Sequence, residues 1–288
     1  FLKQNYTMNI KLKVLQPQEL NRVMKNGDLR VPNESKYIRI RENNKTEWNV
    51  LDTVLGCNMG CPSCYARSST HILMRGIDFE TPVPQILNKK RLVGDLDRIK
   101  DKNGRNWVRN GVMGDPAYDW ELAIETARIV SEQGFYNVIM TKMPVLPTAG
   151  QLLRLSAYNT VLPLGLVVGY NISTDPDWVR KIVLMRMYQK WAGYDYAILR
   201  VGTFAFDQTT TDGAELAAEQ KAWINMGFKF MEGPWRLTKT HQYAKAGMLD
   251  WNQYSQHKAY GKKGVKSKNY SPKPIVFNGK DPNVLGCV

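Results

Sequence analysis

Apolar runs of strand length alternate with longer amphipathic stretches from about residue 50 onward. Short apolar runs are typical of buried strands, and apolar positions spaced three and four apart are typical of helices. The pattern predicts strands at 49–56, 107–113, 135–141, 164–172, 196–201 and 228–231, and helices at 64–74, 83–100, 119–133, 147–158, 176–191 and 212–226. Strands that alternate with helices in this way predict an α/β fold with a parallel sheet.

The helix signals and the strand ends narrow the fold class. Asp119 stands where an N-cap is expected, Gly134 follows the end of the same helix, and Pro176 lies at the start of another. No G-x-G-x-x-G segment follows a predicted strand, so a dinucleotide-binding sheet is not favoured. The sequence therefore predicts a partial (β/α)6 barrel of the TIM type, in which ligands bind at the carboxyl ends of the strands.

Three regions of the chain differ in composition. Residues 1–49 form a polar N-terminal extension, residues 50–235 form the barrel, and residues 236–288 form a basic, aromatic C-terminal segment. The best apolar run, 161–170, is short and contains Pro163, so no membrane span is expected. The first residues lack an apolar secretory signal and cysteine is rare, so we expect a cytoplasmic protein.

Three of the four cysteines fall within eight residues, directly after the first predicted strand. Cys57, Cys61 and Cys64 have the spacing C-x3-C-x2-C, in a loop that also contains a glycine and a proline. This pattern favours three thiolates that converge on one iron-sulfur cluster and leave one iron without a protein ligand. Two alternatives stay open, namely a zinc site that includes Cys287 and a redox pair of Cys61 with Cys64.

The cysteine spacing, with Tyr65 directly after it and a strand before it, resembles the signature of the radical S-adenosylmethionine (SAM) superfamily. The Cys-Tyr-Ala, Gly-Asp-Pro and Thr-Lys segments after the first three strands are similar to those of the spore photoproduct lyase-like branch and its phage-encoded relatives. The resemblance implies a [4Fe-4S] cluster on the three cysteines and SAM on the open iron. It also implies reductive cleavage of SAM to a 5′-deoxyadenosyl radical that abstracts a substrate hydrogen, with an electron donor such as flavodoxin or ferredoxin.

The same resemblance assigns further residues to the cofactor. Gly114 and Asp115 follow the second strand, where the superfamily has a Gly-Gly-Glu segment that contacts SAM. Asn171 and Ser173 follow the fourth strand, where polar side chains contact the SAM ribose. The expected cofactor-binding residues are Tyr65, Gly114, Asp115, Lys142, Asn171, Ser173 and Arg200. No cysteine aligns with a hydrogen donor for photoproduct repair, so that particular reaction is not expected.

The charge of the chain points to a polyanionic partner. The net charge is +14, and residues 236–280 hold ten lysines and arginines against one acidic residue, which is nine of those charges. Tyrosines and tryptophans are interspersed there, and such residues stack on bases while the cations neutralise phosphates. We therefore expect a nucleic-acid base or a nucleotide as the substrate. The alternatives are a peptide or small-molecule substrate for the same chemistry, and a non-enzymatic, zinc-stabilised nucleic-acid-binding protein.

Overall fold

The computed structural model describes residues 31–32, 34–43, 48–61, 64, 66, 77–100, 106–169, 175–204, 206–234 and 248. Tyr65, Asn171 and Ser173, most of the helix predicted at 64–74, and residues 236–288 apart from 248 lie outside these ranges. Within the ranges, no helix is long and apolar enough to cross a membrane.

The strands and helices alternate along the described chain. The strands are β1 (Val31–Pro32), β2 (Arg41–Asn43), β3 (Trp48–Leu51), β4 (Val54–Leu55), β5 (Ile77–Asp78), β6 (Val83–Pro84), β7 (Trp107–Asn110), β8 (Tyr136–Ile139), β9 (Thr160–Val167), β10 (Ala197–Thr203) and β11 (Lys229–Pro234). The helices are α1 (Lys89–Ile99), α2 (Trp120–Glu132), α3 (Ala149–Ser156), α4 (Trp178–Ala192) and α5 (Thr211–Ile224), with a 3-10 turn at Pro116–Tyr118.

A seven-stranded sheet has the spatial order β11-β10-β9-β8-β7-β3-β2. All neighbours from β3 to β11 run parallel, and only the edge strand β2 is antiparallel to its neighbour. Six parallel strands that follow one another in both sequence and space, with helices between most of them, form a partial barrel of the TIM type. The predicted fold class is therefore confirmed.

Local capping signals place the helix ends close to the predicted boundaries. The Asp119 side chain accepts a hydrogen bond from the backbone N–H of Leu122 at the start of α2. Thr148 and Gln151 form a reciprocal capping box at the start of α3, which satisfies two backbone N–H groups. Gly134 has a φ of 79°, a left-handed conformation that ends the turn after α2 at little steric cost.

The helix predicted at 83–100 was wrong in its first part. Residues 83–84 form β6, which pairs with β4, and the helix begins only at Lys89. The backbone N–H of Gln85 donates to the Thr53 carbonyl at 2.8 Å, which holds this segment extended against the first strand region. The Asn88 side chain then caps α1 by accepting from the backbone N–H of Arg91.

The first predicted strand, 49–56, is interrupted by a buried carboxylate. Asp52 accepts hydrogen bonds from the backbone N–H groups of Val112 and Met113, both at 2.7 Å, and forms an ion pair with Arg41. The bonds to Val112 and Met113 hold Asp52, which lies between β3 and β4, against the segment that follows β7. Burial raises the pKa of Asp52, and Arg41 opposes that rise.

Apolar side chains pack on both faces of the sheet. The face covered by helices carries most of the core, with large buried side chains such as Tyr188 and Trp223. The other face is the barrel interior, where Val50, Trp107, Val138, Met140, Val161, Ile198 and Met231 form a smaller cluster. Arg109, on the same face as Trp107, is also buried there and lies near Asp52. The interior thus combines an apolar cluster with a buried cation, Arg109.

Candidate metal and cofactor site

The segments after β3, β7 and β8 meet at one edge of the sheet, because parallel strands share the direction of their carboxyl ends. Gly56 and Gly114 form a parallel bridge, and the backbone N–H of Gly56 donates to the Met113 carbonyl at 2.9 Å. Gly114 allows this approach, since a Cβ there would lie 2.2 Å from the Val54 carbonyl oxygen. The cysteine loop therefore starts directly beside the segment that follows β7.

The cysteine loop is fixed by backbone contacts and packs on an apolar wall. The backbone N–H of Cys57 donates to the Phe79 carbonyl at 2.7 Å, and that of Cys64 donates to the Cys61 carbonyl at 3.1 Å. Gly60 has a φ of 62°, which lets the chain reverse between the first two cysteines. Cys61 is buried, and Cys57 and Cys64 are half-buried against Phe79 and neighbouring apolar side chains.

The surroundings favour the protonated form of two of the thiols. Burial raises the pKa of the Cys57 thiol to about 12, and the neighbouring Asp115 carboxylate adds to the rise. Burial also raises the pKa of Cys61, against the opposing positive charge of Lys142. A metal that binds these thiols must displace their protons, so metal uptake is expected to release acid.

Asp115 binds three groups and joins the ends of β7 and β8. Its Oδ1 accepts from the Thr141 hydroxyl at 2.6 Å and from the Ala117 backbone N–H at 3.0 Å, and its Oδ2 accepts from the Lys142 backbone N–H at 2.8 Å. Burial raises the pKa of this carboxyl, and the hydrogen bonds oppose the rise. Asp115 therefore sets the backbone position from which the Lys142 side chain starts.

Lys142, Gly165 and Arg200 form a row across three neighbouring strands. Thr141 bridges to Leu164, which places Lys142 level with Gly165, and Gly165 pairs with Arg200. A Cβ on Gly165 would meet the Lys142 side chain at 3.4 Å, so the lysine methylenes lie over this glycine. Arg200 lies on the same face of β10 as the interior residue Ile198. Lys142 and Arg200 thus lie on either side of Gly165, toward the carboxyl ends of the strands.

Tyr118, which the sequence did not single out, reaches the cysteine loop from the 3-10 turn after β7. Its hydroxyl oxygen lies 3.8 Å from Cys57 Sγ and accepts from the Asn58 backbone N–H at 3.1 Å. It also forms a hydrogen bond with Asn58 Oδ1. Burial raises the pKa of this phenol, and the adjacent Cys57 contributes to the rise.

Glu219, also not predicted, holds the start of the segment after β9. Both of its carboxylate oxygens accept from the Gly169 backbone N–H, at 2.9 and 3.1 Å, and Oε1 accepts from the Trp223 indole at 3.0 Å. Gly169 has a φ of 73°, so the chain turns there immediately before residues 170–174. Glu219 therefore fixes the backbone at Gly169, the last described residue before the part of the chain that contains Asn171 and Ser173.

Three cysteines in one loop are a donor set of the type that can hold an iron-sulfur cluster. No group of three or more His, Cys, Asp or Glu side chains in the described ranges is arranged to hold one metal ion. Cysteines that bind a four-iron cluster each bind a different iron, so they stand farther apart than the ligands of a single zinc. Thiolates are also the soft ligands that iron-sulfur clusters require.

Comparison with known proteins gives one informative match. No family model and no curated protein matches the chain. A solved structure does match, that of a spore photoproduct lyase variant with bound AdoMet and dinucleoside spore photoproduct. The TM-score is 0.51 at 12% identity, over 79% of this chain and 75% of that chain. The two proteins share a fold.

This shared fold confirms the predicted resemblance at the level of architecture. The likeness to spore photoproduct lyase shows a shared fold and gives no support to the phage-encoded branch. Of the predicted site residues, the structure brings together the cysteine loop, Gly114, Asp115 and Lys142, and it places Arg200 two strands from Lys142. Their roles as ligands stay predictions.

Proposed function

We propose that the chain is a radical SAM enzyme that modifies a nucleic-acid base or a nucleotide. The observation that carries the proposal is the position of the cysteine loop, which follows the first of six parallel strands at the edge where Asp115 and Lys142 also lie. The fold shared with spore photoproduct lyase supports this assignment. Ligands bind at this edge in barrels of this kind.

The three cysteines would hold a [4Fe-4S] cluster and leave one iron for SAM. When bound, the cluster and SAM would supply one-electron chemistry that can take a hydrogen atom from the substrate. Lys142 and Arg200 provide the positive charge that the carboxylate of SAM requires, and Asp115 fixes the backbone of Lys142. Phe79 and Met113 pack in one apolar cluster with Cys57 and Cys64 and shield part of their surface from water. Tyr65, Asn171 and Ser173 complete the proposed SAM contacts.

The substrate assignment depends on charge and on the structural match. Residues 236–280 carry nine of the fourteen net positive charges, and the matched lyase structure contains a dinucleoside. A nucleotide, or a base within a nucleic acid, comes with both the phosphate and the aromatic ring that such a segment recognises. A peptide or a small molecule is the alternative substrate for the same chemistry. An electron donor such as flavodoxin or ferredoxin completes the proposed system, which we place in the cytoplasm.

Anaerobic reconstitution tests the chemistry. We expect about four iron and four sulfide per chain, and release of 5′-deoxyadenosine and methionine from SAM after reduction. Cys61→Ala should lose the iron, whereas Cys287→Ala should keep it, because Cys287 belongs only to the zinc alternative. One tightly bound zinc, lost in both variants and accompanied by no SAM cleavage, would refute the enzyme assignment.

Charge-matched variants of the full chain test the substrate class. One variant replaces six lysines of the basic segment by glutamine, and a control replaces six exposed lysines that precede that segment in the chain. The first set is Lys258, Lys262, Lys263, Lys266, Lys268 and Lys273, and the second is Lys36, Lys89, Lys90, Lys100, Lys190 and Lys221. Binding to single-stranded oligonucleotides should weaken, with a shallower salt dependence, in the first variant only. Equal weakening in both would favour a merely basic surface.

A further inference from the structure

Tyr118 occupies a fixed position beside the cysteine loop. The 3-10 turn Pro116–Tyr118 is capped by the Asp115 side chain at Ala117 N, and the Tyr118 backbone N–H donates to the Asp115 carbonyl at 3.3 Å. Ala117 is completely buried, so the turn packs into the core. The direction of the Tyr118 ring is therefore set by the same carboxylate that positions Lys142.

The hydrogen bonds around the Tyr118 hydroxyl make it a polarised donor. The Asn58 backbone N–H donates to the phenol oxygen at 3.1 Å, which strengthens the phenol as a donor in its turn. The hydroxyl has a single proton and two acceptors within reach, Asn58 Oδ1 and Cys57 Sγ. In the free protein the Cys57 thiol can donate to the phenol. Once Cys57 is a thiolate, only the phenol can donate.

We propose that Tyr118 is a positioning residue that donates a hydrogen bond to the Cys57 thiolate when the cluster is bound. The inference rests on the proposed function. Hydrogen bonds to cluster sulfurs stabilise the reduced state, which carries more negative charge, and so raise the reduction potential. Partners of metal ligands also slow the loss of the metal. Asn58 Oδ1 competes for the same proton and therefore weakens the effect of Tyr118.

This competition gives two variants with opposite expected effects. Tyr118→Phe keeps the ring and removes the donor, so the midpoint potential of the cluster should fall. Asn58→Ala removes the competing acceptor and keeps the backbone N–H, so the potential should rise. Tyr194→Phe is the matched control, because Tyr194 is 56% exposed and on the far segment between α4 and β10. The double variant of Asn58 and Tyr118 should behave like Tyr118→Phe.

The experiment uses the reconstituted full chain and two readouts other than turnover. The first is the midpoint potential from an anaerobic titration with dithionite as electron donor, followed by electron paramagnetic resonance. The second is iron retention against a chelator, where Tyr118→Phe should bind its iron roughly 10- to 100-fold less tightly than wild type. Thermal unfolding of the metal-free variants checks that each is folded.

The outcomes separate this inference from the proposed function. If wild type takes up a cluster, and Tyr118→Phe has the same potential and the same iron retention, the inference fails alone. If Tyr118→Phe and Asn58→Ala both lower the midpoint potential, Tyr118 acts only through packing and the inference also fails. If Tyr118→Phe does not fold, Asn58→Ala alone decides, because only a donated hydrogen bond predicts a rise. Absence of any cluster in wild type overturns both the inference and the proposed function.

Discussion

Gly114→Ala should damage the cysteine loop through steric contact with the backbone. The added Cβ would lie 2.2 Å from the Val54 carbonyl oxygen and 2.9 Å from both the nitrogen and the carbonyl oxygen of Gly56. All three are main-chain atoms, so no side chain can rotate away. The strand region that leads to the cysteines must move by about 1 Å to restore ordinary contact distances.

The magnitude follows from the contacts that this movement breaks. Overpacking costs about 1–3 kcal/mol, and loss of the Gly56 N–H to Met113 carbonyl bond adds about 1 kcal/mol. We therefore expect the free energy of unfolding to fall by about 2–4 kcal/mol. Gly94→Ala is the matched control, because Gly94 lies in α1 and a Cβ there meets no atom within 4 Å. That change should stabilise the protein by about 0.4–1 kcal/mol.

Urea denaturation of metal-free Gly114→Ala and Gly94→Ala measures the change in the free energy of unfolding of each variant. Iron content after reconstitution measures how well the cysteine loop still binds metal. Gly114→Ala should retain less iron than Gly94→Ala, since the loop that presents Cys57 is displaced. If Gly114→Ala unfolds at the same urea concentration as wild type and binds the same iron, the close approach of the two strand ends is refuted.

Three further substitutions test other parts of the structure. Lys181→Met leaves the buried Asp175 carboxylate without its ammonium partner at 2.6 Å. Urea denaturation should therefore show that the free energy of unfolding falls by about 3–5 kcal/mol. A fall of less than about 1 kcal/mol would contradict the burial of this pair. Burial alone would raise the pKa of Asp95, but hydrogen bonds from Arg39 and a backbone N–H hold it below its ordinary value. The ionised Asp95 therefore stabilises the fold above about pH 4, and this stabilisation is lost as the pH falls through the lowered pKa. The unfolding free energy of Asp95→Asn should change less with acid than that of wild type. Parallel curves of unfolding free energy against pH for the two proteins would refute this. Lys142→Gln removes the proposed charged partner of SAM, so KM for SAM should rise roughly 10- to 150-fold with unchanged iron content. An unchanged KM would remove Lys142 from the proposed site.

Local signals in the sequence were sufficient to predict the order of the six parallel strands and of the five described helices. Asp119 and Gly134 act within one helix and its two ends, so their roles could be deduced without knowledge of the rest of the fold. The six-fold alternation similarly predicted the parallel sheet, because parallel neighbours need a crossover between them. The segment 83–88 was assigned to a helix in error because its partner is Thr53, thirty residues earlier.

The sequence could suggest candidate site residues where several of them share one short motif or follow a predicted strand. The cysteines lie within eight residues, and Asp115 and Lys142 each directly follow a predicted strand. Tyr118 contacts Cys57, which is 61 positions away in the chain, and Glu219 accepts from the backbone N–H of Gly169, which is 50 positions away. A tyrosine after a turn or a glutamate on a helix has no local feature that indicates such a partner. The Asp-Pro turn before Tyr118 was the one available signal.

The sequential order of the strands has a consequence for biosynthesis. Each parallel strand pairs with the one made just before it, so the sheet can grow as the chain leaves the ribosome. Cys57 emerges 56 residues before Met113, which packs beside it, an interval of about 3–11 s at ordinary translation rates. During that time the thiols lack the neighbours that later bury them, and exposed cysteines are open to oxidation. Oxygen present while the protein is being made should therefore reduce the fraction of chains with three intact thiols, whatever care is taken during purification.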